Sequence, residues 1–173
     1  MIKPIIYKEA DFSKLDKSLQ EIVTKQFSKG KGVFLCGKAG VGKTHTAWAI
    51  SDMVEARSLR TDFYKVNKIM FWFRNINDND SRELLEEMVG DGSLKKNYLF
   101  LDDFGSNKES EFTLDCMTMI LDYRYENKLP TVITSNASFD ELLENVGARV
   151  YSRLIGMCKE VEITGKDRRN DEI

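Results

Sequence analysis

Gly37-Lys38-Ala39-Gly40-Val41-Gly42-Lys43-Thr44 (GKAGVGKT) is the stretch that decides the reading of this chain. Its pattern is G-x-x-x-x-G-K-T, which means a phosphate-binding loop only where a strand leads in and a helix leads out. Both flanks are there. Val33-Phe34-Leu35-Cys36 is a short apolar run that reads as a buried strand. From Thr44 to about Arg57, Ala47, Ile50 and Val54 share one helical face. Glycines let the backbone N–H groups of the loop, those of Lys38, Ala39 and Val41 included, converge on phosphate oxygens at the positive end of the helix dipole. Lys43 then reaches the β- and γ-phosphates, and the Thr44 hydroxyl ligates Mg²⁺. The blander alternative is an ordinary glycine turn ahead of a helix, and the flanks count against it. The loop is expected to hold a nucleoside triphosphate.

A second motif says what is done with it. Tyr98-Leu99-Phe100-Leu101 runs directly into Asp102-Asp103. Four apolar residues ending in an acid place that carboxylate at the C-terminal edge of a strand, where open α/β sheets bind ligands. Asp102 is read as the acid that holds Mg²⁺ through water, and Asp103 as the group that orients or deprotonates an attacking water. An acidic turn without chemistry is the alternative. The guanine-specific N-K-x-D motif is missing, because Asn67-Lys68 and Asn127-Lys128 are followed by Met70 and Pro130 where the Asp would stand. ATP is favoured by that exclusion, and hydrolysis by the second acid.

The bulk numbers fit one soluble α/β domain. The chain has 173 residues, 42% hydrophobic and 31% charged, with a net charge of −2. That balance excludes a strongly basic nucleic-acid coat but not a local basic groove. No apolar run reaches membrane-spanning length, and the opening MIKPIIYKEADF has no signal-peptide core. Cys36, Cys116 and Cys158 are widely spaced and read as small core residues in a reducing, cytoplasmic setting.

Leu15, Leu19, Ile22, Val23 and Phe27 form a helical stripe with Asp11 or Ser13 as possible caps, and Gly30 and Gly32 end it. Further strands are expected at Thr61–Val66, Tyr98–Leu101 and Thr131–Thr134. Phe112, Cys116, Met119, Ile120 and Tyr123 mark a helix between the last two, and Ser138 with Glu141 spells a capping box for the next. Strands alternating with helices argue for a parallel sheet flanked by helices on both faces. Nothing marks a linker, so one domain is expected over 1–173, with a lead segment and helix over 1–30 and the core over 31–173.

GKAGVGKTHTAWAI, YLFLDDFG, RYENKLPTVITSN and GARVYSRL, in that order, resemble the AAA+ core of DnaC/DnaI-type helicase loaders, with IstB-type transposition ATPases and DnaA-type initiators as near relatives. The resemblance covers about 30–169. It implies a P-loop NTPase of AAA+ type and assigns further roles. Asn136, ending Ile133-Thr134-Ser135-Asn136, matches the sensor that hydrogen-bonds the γ-phosphate or the lytic water; by residue type alone it is a turn Asn. Arg153 matches the arginine finger, with Arg149 one turn earlier as its support; by residue type alone both belong to a solvated basic helix face. Arg169 sits where these proteins carry a terminal sensor arginine, and His45 packs beside the nucleotide. The resemblance also implies self-association into a spiral or ring, and a replicative helicase or a transposase as partner. Two departures stand out. The lead before the P-loop is too short for the helicase-gripping domain of loaders, and the helical lid is reduced or absent.

In that family the segment between the second strand and the acidic pair contacts single-stranded DNA, here 67–97. Lys68 and Trp72 lie one turn apart with Arg74 nearby, supplying cations for phosphates and a ring for bases. Against this, Val66, Ile69, Met70 and Phe73 share a face that must pack on the sheet, and Trp72 can extend it. Three further functions stay open beside a replication ATPase: a transposase helper, a small P-loop kinase, and a module that holds ATP as a switch.

Overall fold

The structure, a computed structural model, describes residues 3–75, 88, 97–105 and 108–167. The expectation for Arg169 lies outside the described residues. Five strands form one sheet: β1 (Gly32–Cys36), β2 (Arg60–Lys65), β3 (Asn97–Asp102), β4 (Thr131–Thr134) and β5 (Cys158–Glu162). Their order is β2-β3-β4-β1-β5, and every adjacent pair is parallel. The helices are α1 (Lys17–Ser28), α2 (Lys43–Glu55), α3 (Val66–Asn75), α4 (Glu111–Glu126) and α5 (Phe139–Met157).

Strand alternation sorts the helices into two layers. Val33, Leu35, Phe63, Phe100 and Val132 point to one face and pack under α1 and α2, with Val23, Ala47, Ile50 and Val54. Phe34, Leu99, Leu101 and Ile133 point to the other and pack against Ile69 of α3, Ile120 of α4 and Val150 of α5. Parallel strands buried on both sides need continuous apolar runs, which is what β1 and β3 supply. Phe63 stacks on Trp48 at 3.9 Å between ring centroids and on Phe100 at 5.4 Å. Tyr7 extends that column, stacking on Trp48 at 6.3 Å, and Lys3 pairs with Asp52. These contacts fasten the lead segment across α2.

Several expectations shift. α1 is capped by Asp16, whose side chain accepts from Ser18 N, while Asp11 caps a separate short turn over Phe12–Lys14. Val66 begins α3 instead of ending β2. The α4 helix forms as expected but buries a different face. Thr113, Met117, Ile120, Leu121 and Arg124 point inward, whereas Phe112, Met119 and Tyr123 are exposed. The cause is Arg124, fully buried at 0% exposure. Its Nε donates to Thr131 Oγ1 at 2.8 Å, and its Nη atoms donate to Met88 O, Asn97 O, Asn97 Oδ1 and Pro130 O. A helix face that ends in an arginine and also carries Thr113 does not read as core. β5 was not expected, and after it the chain extends to Asp167 with no further helix among the described residues.

Candidate functional site

The C-terminal ends of β1, β3 and β4 open into a cleft of about 530 Å³. Its lining includes Gly40, Gly42, Lys43, Thr44, Asp102, Asp103 and Asn136. Each arrives there for a local reason. Gly42 is the N-cap of α2 with φ 104°, a left-handed turn that a side chain would oppose. Gly37, φ 141°, ends β1 where a Cβ would strike the carbonyl oxygen of Ile163. The loop therefore wraps the first turn of α2, the end of a helix that favours an anion.

Lys43 is buried at 8% exposure and spends its three donors on Gly37 O at 2.7 Å, Lys38 O at 2.8 Å and Asn136 Oδ1 at 2.7 Å. Asp102 continues the β3 alternation onto the α2 side of the sheet, which brings it to Thr44. Thr44 Oγ1 donates to Asp102 Oδ1 at 2.7 Å, and so does Thr134 Oγ1 at 2.7 Å. A hydroxyl and a carboxylate side by side are the hard oxygen donors that Mg²⁺ takes, so this corner fits that ion. Asp103 leaves the strand with φ 63°, unusual for a residue with a Cβ, and its N–H donates to Thr134 Oγ1 at 2.9 Å. That turn points its exposed side chain to Asn136, whose Nδ2 donates to Asp103 Oδ1 at 3.2 Å.

The sequence reading missed part of this cleft. Ile6, Tyr7 and Glu9 of the lead segment, together with Lys65 and Thr134, line it as well. Thr134 was readable, since it shares the β4 face of Val132; the lead segment was not, because the Tyr7–Trp48 stack that places it is a long-range contact. His45 is half-buried and lines the cleft. Beyond the turn at Asp103, the amide of Gly105 donates to Glu109 Oε1 at 3.1 Å, and burial, with Asp103 nearby, pushes the Glu109 carboxyl above its usual value.

Arg153 does not line the cleft. It stands on α5 beside Asp122 of α4, to which its Nε donates, and Arg149 Nη2 donates to the same carboxylate at 3.2 Å. Lys68, Trp72 and Arg74 lie together on α3. The Lys68 ammonium sits over the Trp72 ring at 4.8 Å, and Trp72, half-buried, meets Tyr64 edge-on at 6.2 Å. Arg74 donates to Ser110 Oγ at 3.0 Å and lies over Phe112. Among the described residues, no helix is long and apolar enough to cross a membrane.

Known proteins are similar to this chain in sequence and fold. The profile of a family described as "IstB-like ATP binding protein" matches residues 6–172. The replicative helicase loader DnaI of Bacillus subtilis (strain 168) is 27% identical over 155 residues, covering 82% of this chain and 49% of that protein. A crystal structure of the DnaC helicase loader matches with a TM-score of 0.78 at 25% identity, covering 93% of this chain and 100% of that one. The replication initiator DnaA bound to AMPPCP and single-stranded DNA matches at 0.76 and 18% identity, covering 94% and 52%, a likeness of fold alone. The chain spans about half the length of the curated relatives it matches. The parallel sheet with helices on both faces is thus that of the AAA+ P-loop ATPases. By the extent of the family match, the chain belongs to the IstB-like ATP-binding family.

Proposed function

We propose that this chain binds ATP with Mg²⁺ and hydrolyses it to ADP and phosphate as a helicase-loader-like replication protein. The observation that carries the reading is the chain of contacts Lys43–Asn136–Asp103 beside Thr44–Asp102 in one cleft. The backbone N–H groups of 37–44 take the phosphates, and Lys43 turns its ammonium from protein carbonyls to the β- and γ-oxygens. Thr44 and Asp102 would hold Mg²⁺, which would supply positive charge against the phosphates. Asp103 accepts a proton from the water that attacks the γ-phosphorus, while the Asn136 amide orients that water. Arg153, remote from its own cleft, acts on the cleft of a neighbouring copy, and head-to-tail contacts of this kind build spirals or rings.

The partner follows from relatives. DnaI and DnaC carry the name helicase loader, which favours a replicative helicase; the matching family description keeps a transposase helper as the second reading. Single-stranded DNA would run along α3, where Lys68 and Arg74 are exposed.

Phosphate release from ATP, measured on the purified chain with single-stranded DNA and a replicative helicase, tests the reading. Lys43→Ala should lose tight ATP binding. Asp103→Asn should keep binding and lose hydrolysis by roughly 100-fold or more, the scale of general-base work. Equal loss of binding in both, or no phosphate release under any condition, overturns it.

A further inference from the structure

Arg153 is held in an unusual way. Its Nε donates to Asp122 Oδ1, while Nη1 and Nη2 have no acceptor among the described residues. Arg149 Nη2 donates to the other carboxylate oxygen, Oδ2, at 3.2 Å, so the two arginines divide the carboxylate and Arg153 is held through Nε alone. The Arg153 guanidinium carbon lies 5.3 Å from the centre of the Tyr125 ring, a platform that favours a cation on its face. Asp122 and Tyr125 are one turn apart on α4, and Arg149 and Arg153 one turn apart on α5, so the four groups meet along a single helix–helix seam. The Arg153 side chain remains 35% exposed.

We propose that Asp122 is a positioning residue for Arg153, gripping it from the Nε side so that its two Nη groups are presented to an anion on a second copy of this chain. The proposal rests on the reading that Arg153 acts across a contact between copies. A guanidinium offers five donors in a rigid fork, and a carboxylate normally engages Nε and one Nη together. Here Arg149 engages the second oxygen and Arg153 only the first, and the outer edge of the fork is left for a γ-phosphoryl group. A long side chain that is already aligned loses less rotamer freedom when the phosphate arrives.

A purely structural pair behaves differently. Ion pairs that keep a third of one partner in solvent add little to stability, so removing Asp122 should move Tm only slightly. Alignment of a transition-state contact appears instead in kcat. Asp122→Ala, and Asp122→Asn as the variant that keeps the shape, are therefore compared with Arg153→Ala by ATP turnover at assembling concentrations, KM for ATP, and Tm. Both Asp122 variants should lose kcat by roughly 10- to 100-fold, the cost of a misplaced group, with KM within about twofold. Asp122→Ala should also regain activity when mixed with Asp103→Asn and gain none when mixed with Arg153→Ala, because it shares the defect of the latter. Unchanged kcat while Arg153→Ala is impaired overturns the positioning role alone. So does rescue of Asp122→Ala by Arg153→Ala, which would place the defect in its own cleft. Full activity of Arg153→Ala removes the shared-site reading, and the positioning role with it.

Discussion

Lys43 Nζ donates to Asn136 Oδ1 at 2.7 Å, so the lysine of the phosphate loop and the amide at the end of β4 are directly joined. An incoming γ-phosphate must take over that donor, and the amide is then left beside it with its Nδ2 still directed to Asp103. Asn136 is thereby expected to serve the reaction more than the binding. Asn136→Ala should bind ATP within a few-fold of the parent, since Lys43 and the loop N–H groups remain. Single-turnover hydrolysis should fall by roughly 100-fold, the scale of one lost oriented donor. A matching loss of ATP affinity in a nucleotide titration would assign Asn136 to binding instead.

Arg124 gives the fold its own test. It joins α4 to β3, β4 and Met88 through five hydrogen bonds, and burial pushes its pKa down to about 9. Arg124→Ala removes the donors to Met88 O, Asn97 O and Pro130 O from a buried seam and should cost roughly 3–5 kcal/mol in denaturant unfolding. Arg124→Lys should recover little, because an ammonium cannot reproduce the planar fork. A loss below about 1 kcal/mol for the alanine variant would show the network to be incidental.

The DNA reading is open to a direct measurement on α3. Lys68→Ala should weaken single-strand binding and reduce the salt slope by about one charge. Trp72→Ala should weaken it further if the ring stacks on a base, and should lower Tm as well, since the ring also meets Tyr64 and the core. Binding unchanged in both variants removes α3 from any DNA path.

What could be read in advance is instructive residue by residue. The strand before Gly37 and the strand before Asp102 announce themselves because parallel strands buried on both faces must be apolar throughout. Alternation along Tyr98–Asp102 even fixes the side on which Asp102 emerges, and so its meeting with Thr44. β5 stayed hidden because Cys158-Lys159-Glu160-Val161-Glu162 is an edge strand, paired on one side only, with charges at three of its five positions. The α4 stripe misled because its buried face takes in Arg124, whose burial is met partly by partners distant in sequence, Met88 and Asn97. Ile6, Tyr7 and Glu9 reach the cleft through Trp48 and Asp52, and no local pattern encodes such contacts.

The central claim is that one cleft is completed by Arg153 of another copy. The most direct measurement mixes Arg153→Ala with Asp103→Asn and follows phosphate release. Each variant alone lacks one half of the site, Arg153→Ala by roughly 1,000-fold in rate if it acts as a finger. The mixture alone contains interfaces where an intact Asp103 meets an intact Arg153, so activity should return in it and rise with protein concentration. A mixture no more active than the sum of its parts, or Arg153→Ala fully active by itself, would contradict the account.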